Sequence, residues 1–592
     1  MSLNRVQLAL LALLATFASG HVPQTLAADV VDTWPDTWSA TDALGRTLID
    51  HQQAGPPRPD RTVGVFYFLW LGQHGTDGPY DVTRILAAHP DAMSRPTSPP
   101  WGPAKHYHHW GESLFGYYFS DDAWVLRKHA QMLSDANVDV IIFDVTNQVT
   151  YRKVYMRLCE VFAAVRRDGG RTPQIAFLCP FWNPHKTVDE LYADLYKPGL
   201  HTDLWFQWKG KPLILADPAK VSDEVKGFFT FRAPQPDYFR GPSGPDQWGW
   251  LEIHPQHVYR NSAGEAEQMT VGIGQNGSGK RLCAFSEANT YGRSWHRGAQ
   301  DTRPDAVHYG FNIAEQWERA LEVDPQFIFI TGWNEWIAMR LDEFAGVREP
   351  VMFVDVFTQE DSRDIEPMKG GHADNYYYQM VNHIRRYKGV RPGPKAGKPA
   401  TITIDGRFDD WRVVRPEFRD DRGDTMHRDH PAYDDIGRYE NRTGRNDFLE
   451  LKAAGDAEFV YFYARTAEPI TPHTDRHWMM LLIDGDNDPT TGWEGYDWIV
   501  NRQVKDATTS VLEHSKQGWA WQPKGEVTMR VSGNKMELAI PRNLLGWSAS
   551  RALPAFQFKW ADNMQQAGDV MDLTVNGDTA PNARFRYVYP GR

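Results

Sequence analysis

The sequence predicts an α/β protein, a (β/α)8 TIM-like barrel followed by an all-β sandwich, on three observations. From about residue 60 to 390, short apolar runs alternate with amphipathic stretches, the pattern of βα units around a parallel sheet. At 391–400, Arg-Pro-Gly-Pro-Lys-Ala-Gly-Lys-Pro-Ala suits neither a helix nor a central strand and reads as a linker. Beyond it, alternating runs at 459–464, 478–483 and 535–540 are divided by Gly, Asn and Asp turns, as in an antiparallel sandwich.

Taken in chain order, the first element is a targeting segment. Arg5 precedes an apolar run at 6–17 and the small residues Ala18, Ser19 and Gly20, so residues 1–20 read as a signal peptide, with 27 as the alternative cleavage point. The run is too short for a bilayer, and no later one is long enough. A secreted or periplasmic protein without a membrane span is expected, with the barrel over 28–389, the linker over 390–400 and the sandwich over 401–592. Cys159, Cys179 and Cys283 are too few for a disulfide framework and read as buried thiols. Over 592 residues the net charge is −12, which gives nucleic acid no electrostatic purchase. With 23 Trp among 13% aromatic residues, the composition suits a ligand that offers flat, weakly polar faces.

The expected barrel strands are 63–70, 138–145, 174–180, 212–216, 269–273, 281–285 and 326–331, with an irregular one near 248–253. Helices are expected at 121–136, 151–167 and 313–322, and the Gly- and Pro-rich segment 72–116 is long enough to be a functional loop. Active sites of such barrels lie at the C-terminal ends of the strands, so the polar residues found there are the candidates. The last strand delivers Trp333, Asn334, Glu335 and Trp336; indoles stack on sugar faces, and the amide and carboxylate can hold hydroxyls and move a proton. Other strand ends contribute Trp70, then Asp144 with Asn147, then Glu287 with Asn289, Tyr291, Arg293, Trp295 and His296. His108, in the run 106–109, is a candidate substrate contact, and a metal site on those histidines is the weaker alternative. Asp144 either works in the cleft or caps the helix starting near Thr150, and Glu287 either works there or pairs with Arg293. Glu335 is expected to serve chemistry more than folding.

The run 274–280 has phosphate-loop glycine and lysine spacing, but Arg281 replaces the magnesium-binding hydroxyl and a strand-like run follows, so it reads as a β-connection. In the tail, Asp484, Asp486 and Asp488 alternate after a strand and form a candidate structural Ca²⁺ site, the alternative being an acidic turn without metal. No cofactor for catalysis is expected. Trp493, Tyr496 and Trp498 form either a sugar platform or sandwich core.

The segment Phe329-Ile330-Thr331-Gly332-Trp333-Asn334-Glu335-Trp336 resembles the Asn-Glu-Trp signature of the superfamily that includes the family 99 endo-α-mannosidases, the family 71 α-1,3-glucanases and WbsX-like proteins. The resemblance covers roughly residues 60 to 390 and implies a (β/α)8 glycoside hydrolase with Glu335 as a catalytic carboxylate. The family 99 pattern places a second Glu three residues on, where this chain has Ala338. The second carboxylate must then come from elsewhere, Glu287 first and Asp144 second. Residues 404–411 and 480–488 look like the opening of family 9 carbohydrate-binding modules and their DOMON-like relatives, β-sandwiches of which some hold structural calcium. The expected function is an exported glycoside hydrolase, monomeric, cleaving glycosidic bonds in a polysaccharide or complex glycan by carboxylate acid/base chemistry. The alternative is a non-catalytic glycan-binding protein on a degenerate barrel.

Overall fold

The computed structural model describes residues 31–32, 34–97, 100–549 and 552–591; the expected signal peptide lies outside them. Two large sheets organise the chain. In the first, the strands Thr62–Tyr67, Val140–Asp144, Gln174–Leu178, Lys211–Leu215, Ala266–Gly272 and Phe327–Thr331 run parallel. Phe327–Thr331 sits between Ala266–Gly272 and Thr62–Tyr67, so the last strand in sequence returns beside the first, as barrel closure requires. The runs are nearly all apolar and buried because helices cover the sheet. Among these helices are Ala123–Asp135, capped by the Asp122 carboxylate on Trp124 N–H at 3.1 Å, and Arg152–Arg167 and Phe311–Val323.

The ring is barrel-like without a continuous ladder. Lys211–Leu215 pairs with Thr230–Phe231, and the chain just beyond, Ala233–Gln235, pairs with Gln247–Gly249. Gln247–Gly249 then meets Ala266–Gly272 through a side chain: the Gln268 amide accepts from Gly249 N–H and donates to Gly249 C=O, both at 3.0 Å. A side-chain amide thus supplies the donor and acceptor that a regular strand neighbour would offer. The expected strand at 281–285 is not part of this sheet. Arg281–Leu282 pairs only with Gly277–Ser278 in a small hairpin, which makes 274–282 the β-connection expected of that glycine-rich run.

The second sheet is one continuous, almost wholly antiparallel array from Glu417–Arg419 through Phe448–Gly455 and Met480–Asp484 to Asp578–Ala580. Its two edges approach each other, Phe448 N–H donating to Asp578 Oδ2 at 2.7 Å, so it curls into a near-barrel where two stacked sheets were expected. Trp493, Tyr496 and Trp498 are buried in its packing and are core, not an open platform. Cys159, Cys179 and Cys283 are buried free thiols.

The two sheets are joined by buried polar contacts. Arg428 Nε meets Asp122 Oδ2 at 2.8 Å, and Arg584 Nε meets Asp374 Oδ2 at 2.6 Å. Tail residues also cover the long barrel loop: Asp434 N–H donates to Thr76 C=O, Tyr439 Oη accepts from Tyr117 N–H, and Tyr433 stands edge-on to His109. The segment expected to be a functional loop is packed under the tail hairpin Arg428–Pro431/Arg438–Asn441. Among the described residues, no helix is long and apolar enough to cross a membrane.

Candidate functional site

Beyond Phe327–Thr331 the chain turns at Gly332, where an added Cβ would come within 3.0 Å of the Phe66 ring. Trp333 N–H then bonds Phe66 C=O, and Asn334 bonds the Phe68 backbone both ways, accepting from N–H at 2.8 Å and donating to C=O at 3.1 Å. These two bonds splice the motif onto the end of the first strand. Trp333 is fully buried beside His129 and Tyr377, and Trp336 stacks on Trp110 at 4.7 Å and donates to Glu366 Oε2 at 2.6 Å. Trp333, Asn334 and Trp336, expected to touch substrate, build the wall behind the site instead.

Glu335 is only 4% exposed, and both its oxygens are held by Arg363, Oε2 by Nε at 2.7 Å and Oε1 by Nη2 at 3.0 Å. The same Nη2 bonds Asp355 Oδ1 at 3.3 Å, and Nη1 bonds Asn276 Oδ1 at 3.1 Å. Tyr238 Oη also donates to Asn276 Oδ1, and the guanidinium lies over Trp250. Two carboxylates on one nitrogen have oxygens within about 6 Å of each other, close to the spacing used in glycosidic cleavage. They differ in access: the Asp355 side chain is 43% exposed. Burial pushes the Glu335 carboxyl up to about 7, against the pull of Arg363, and Asp355 and Asp144 push the same way. Burial likewise raises Asp144 to about 6, although Thr146 N–H donates to it at 3.0 Å. That bond is a local turn. Asp144 does not cap the following helix, whose N-cap residue is Tyr151.

An aromatic wall flanks these carboxylates. Trp70 packs on Phe68, His74, Tyr107 and Tyr151, His74 stacks on Tyr107 at 4.8 Å, and Tyr151 Oη is bonded to His74 and Asn147. An open cavity of about 450 Å³ lies beside His74 and Tyr151. On the other side, Trp250 contacts Phe181, whose neighbour Trp182 is 72% exposed.

Several expected site residues stand elsewhere. Glu287 is tied to Arg281 and to Ala284 N–H, not to Arg293, and the carboxylates acting most strongly on Glu335 are Asp355 and Asp144. Arg293 is fully buried and bonds Ser362 Oγ and Asp364 C=O. Tyr291 donates to Gly279 C=O and packs on Trp295; His296 stacks on Phe311 and faces Asp301. Asn289 is an exposed loop residue with φ +63°. His108 is buried among Tyr80, Trp101 and Phe353, while His109 faces Tyr117 and His106 pairs with Asp77. The three histidines diverge, so they do not form the metal site weighed for them. Ala338, also buried, lies in a strand paired with His108.

No family model matches the chain, and no curated protein matches it. Among solved structures it is similar to the GH99 endo-alpha-mannosidase from Bacteroides thetaiotaomicron, 15% identical over 56% of this chain and 99% of that chain, with a TM-score of 0.33. A glycoside hydrolase-like protein is 11% identical over 57% of this chain and 98% of that one, with a TM-score of 0.27. Likeness of that degree assigns neither family nor activity.

Arg363, Asp355, Asn276 and Trp250 carry no motif of their own. The signal for Asp355 and Arg363 is charge density: the segment 355–366 sets Asp355, Glu360, Asp361, Arg363, Asp364 and Glu366 within twelve residues. Three of them, Arg363, Asp364 and Glu366, prove fully buried, Asp364 accepting from Glu335 N–H and Glu366 from Ser113, Tyr118 and Trp336. Ionisable residues so crowded beside a barrel strand are buried only when paired.

Of the carboxylates expected to bind calcium, Asp484 and Asp486 converge, together with Asp497. Asp488, expected as the third, accepts from Thr490 N–H and Oγ1 instead. Asp484 is also paired with Arg586 at 2.9 Å.

Proposed function

We propose that this chain is an exported glycoside hydrolase acting on a polysaccharide or complex glycan, with Glu335 as the acid/base group, Asp355 as the second carboxylate and Asp144 holding a substrate hydroxyl. The observation that carries the reading is the sharing of one buried Arg363 nitrogen by a buried and a half-exposed carboxylate. Burial and Arg363 pull Glu335 in opposite directions and leave it titrating near neutrality, where one group can both give and take a proton. Asp355, open to solvent, is suited to attack the sugar or to activate water. Asp355 thus takes the role first expected of Glu287. Trp70, Tyr107 and Trp250 supply ring faces for sugars, and the C-terminal domain keeps the enzyme near its polymer.

A glycan-binding protein without activity is the second reading. It is favoured by one observation, that both Glu335 oxygens are already occupied by Arg363. A screen of purified protein against a polysaccharide panel, with Glu335→Gln and Asp355→Asn, separates the two. Hydrolysis that falls at least about a hundredfold in each variant supports the enzyme; sugar binding without turnover in the wild type supports the binder.

A further inference from the structure

Far along the chain from the barrel motif, the loop Asp420-Asp421-Arg422-Gly423-Asp424 and the strand Asp578–Ala580 bring together Asp420, Asp424 and Asp578. One oxygen from each lies within 4.8 Å of the others. Asp424 and Asp578 are 7% and 4% exposed. Each accepts one N–H, Asp424 Oδ2 from Gln131 Nε2 at 2.8 Å and Asp578 Oδ2 from Phe448 at 2.7 Å. Both oxygens of Asp420 and Oδ1 of Asp424 are shielded from solvent and accept no hydrogen bond. Leaving buried carboxylate oxygens bare is costly, more so beside like charges. The basic side chain acting most strongly on Asp420, Lys559, spends its ammonium on Pro581 C=O. An enclosed space of about 10 Å³, lined by Asp135, Asp424 and Asp578 among others, adjoins the cluster, room for one water-sized particle.

We propose that Asp420, Asp424 and Asp578 form a divalent-cation site of the calcium type that fastens the C-terminal sheet to the barrel. The donors are all hard oxygens without histidine or thiolate, the set that selects Ca²⁺ over zinc. Burial raises all three carboxyls, with neighbouring aspartates adding to it and Lys128 partly offsetting it at Asp424 and Asp578, and a bound dication relieves such crowding. The location couples the ion to the seam: Gln131, on the barrel helix Ala123–Asp135, bonds both Asp424 and the tail residue Asn582, and Asn582 bonds Asp135. The site differs from the Asp484, Asp486 and Asp497 group, where Arg586 is directly paired with Asp484 at 2.9 Å, whereas Lys559 and Lys128 act on the Asp420 cluster only from a distance.

The test uses the full-length protein stripped with a chelator, its thermal unfolding followed as CaCl2 or MgCl2 is added, alongside calorimetric titration. Calcium at about a hundred times its dissociation constant should raise the wild-type Tm by about 2 °C for a single transition in a chain of this length. Asp420→Asn and Asp578→Asn should each remove most of that shift and most of the binding heat, and Asp486→Asn should leave both. In chelator, Asp420→Asn should be at least as stable as the wild type, since it relieves repulsion. An identical wild-type Tm in calcium and in chelator overturns the proposal. So does a shift that survives both Asp420→Asn and Asp578→Asn but vanishes in Asp486→Asn.

Discussion

At the scale of single residues, the Glu335–Arg363 pair decides how the site behaves. Both side chains are almost fully buried, so removing one partner strands the other. Above about pH 7, where Glu335 is ionised, Glu335→Gln should remove the counter-charge of buried Arg363 and lower stability in denaturant unfolding as well as activity. Below about pH 6, where the carboxyl is neutral, it should lower activity alone. Unchanged unfolding in that variant would instead bear out the expectation that Glu335 serves chemistry more than folding. Glu335→Gln combined with Arg363→Met should recover part of the stability and none of the turnover, a coupling that a double-mutant cycle measures. The pH dependence has a definite sign. Glu335 titrates at about 7 when folded against 4.5 as a free group, and Asp144 at about 6 against 3.8. Their stabilising contributions are thus fully present below those free values and lost as the pH rises through about 6 to 7. Asp144→Asn should flatten that fall in a series of melting temperatures between pH 4 and 8. Activity that depends on protonated Glu335 should decline above about pH 7.

At the scale of elements, the site depends on splices between segments distant in sequence. Asn334 joins the last barrel strand to the first through Phe68, and Gln268 joins Ala266–Gly272 to Gln247–Gly249 through Gly249. Each amide satisfies one backbone donor and one acceptor in a buried setting. Asn334→Ala should destabilise the protein by about 3 kcal/mol, because both Phe68 groups lose their partner without gaining water. Unchanged urea unfolding in that variant would show that the Phe68 groups find other partners. The aromatic run around Trp70 has a different character: Trp70 meets His74 and Tyr107 edge-on, Phe68 and Tyr151 tilt against it, and His74 stacks on Tyr107.

On the scale of the whole molecule, the tail is mechanically part of the protein. Arg428 and Arg584 reach from the C-terminal region into buried carboxylates of the barrel, contacts that no flexible tether would make. Arg584→Met should cost about 3 to 5 kcal/mol by leaving Asp374 buried without its cation. Truncation near Gly393 should impair activity on a soluble oligosaccharide as well as on polymer, because it also strips the cover from the 72–116 loop. Calorimetry of the full-length protein should show one cooperative transition; two well-separated transitions would show that the seam is weak.

Local patterning wrote six barrel strands and three helices into the sequence, while the run at 281–285 proved to be a hairpin outside the sheet. Continuous apolar runs and a 3.6-residue period are one-dimensional signals, and 327–331, 140–144 and 123–135 appear within a few residues of where they are expected. The position of Glu335 at the end of the last strand was equally legible, because strand ends follow from strand positions. The roles of its neighbours were not. A Trp beside a carboxylate reads the same whether it is half-buried, as Trp250 is, or in the core, as Trp333 and Trp336 are, and only packing separates the cases. Charge pairing is also a tertiary fact: Arg363 and Asp355 stand 28 and 20 residues from Glu335 in sequence and meet it only because the hairpin Ile337–Phe344/Val347–Phe353 folds the chain back. The same holds for Asp420, Asp424 and Asp578, up to 158 positions apart. The sequence determined what the elements are and which end of the strands carries polar groups. The tertiary structure alone decided which charges are buried together, because the cost of burying a charge depends on partners that no local pattern records.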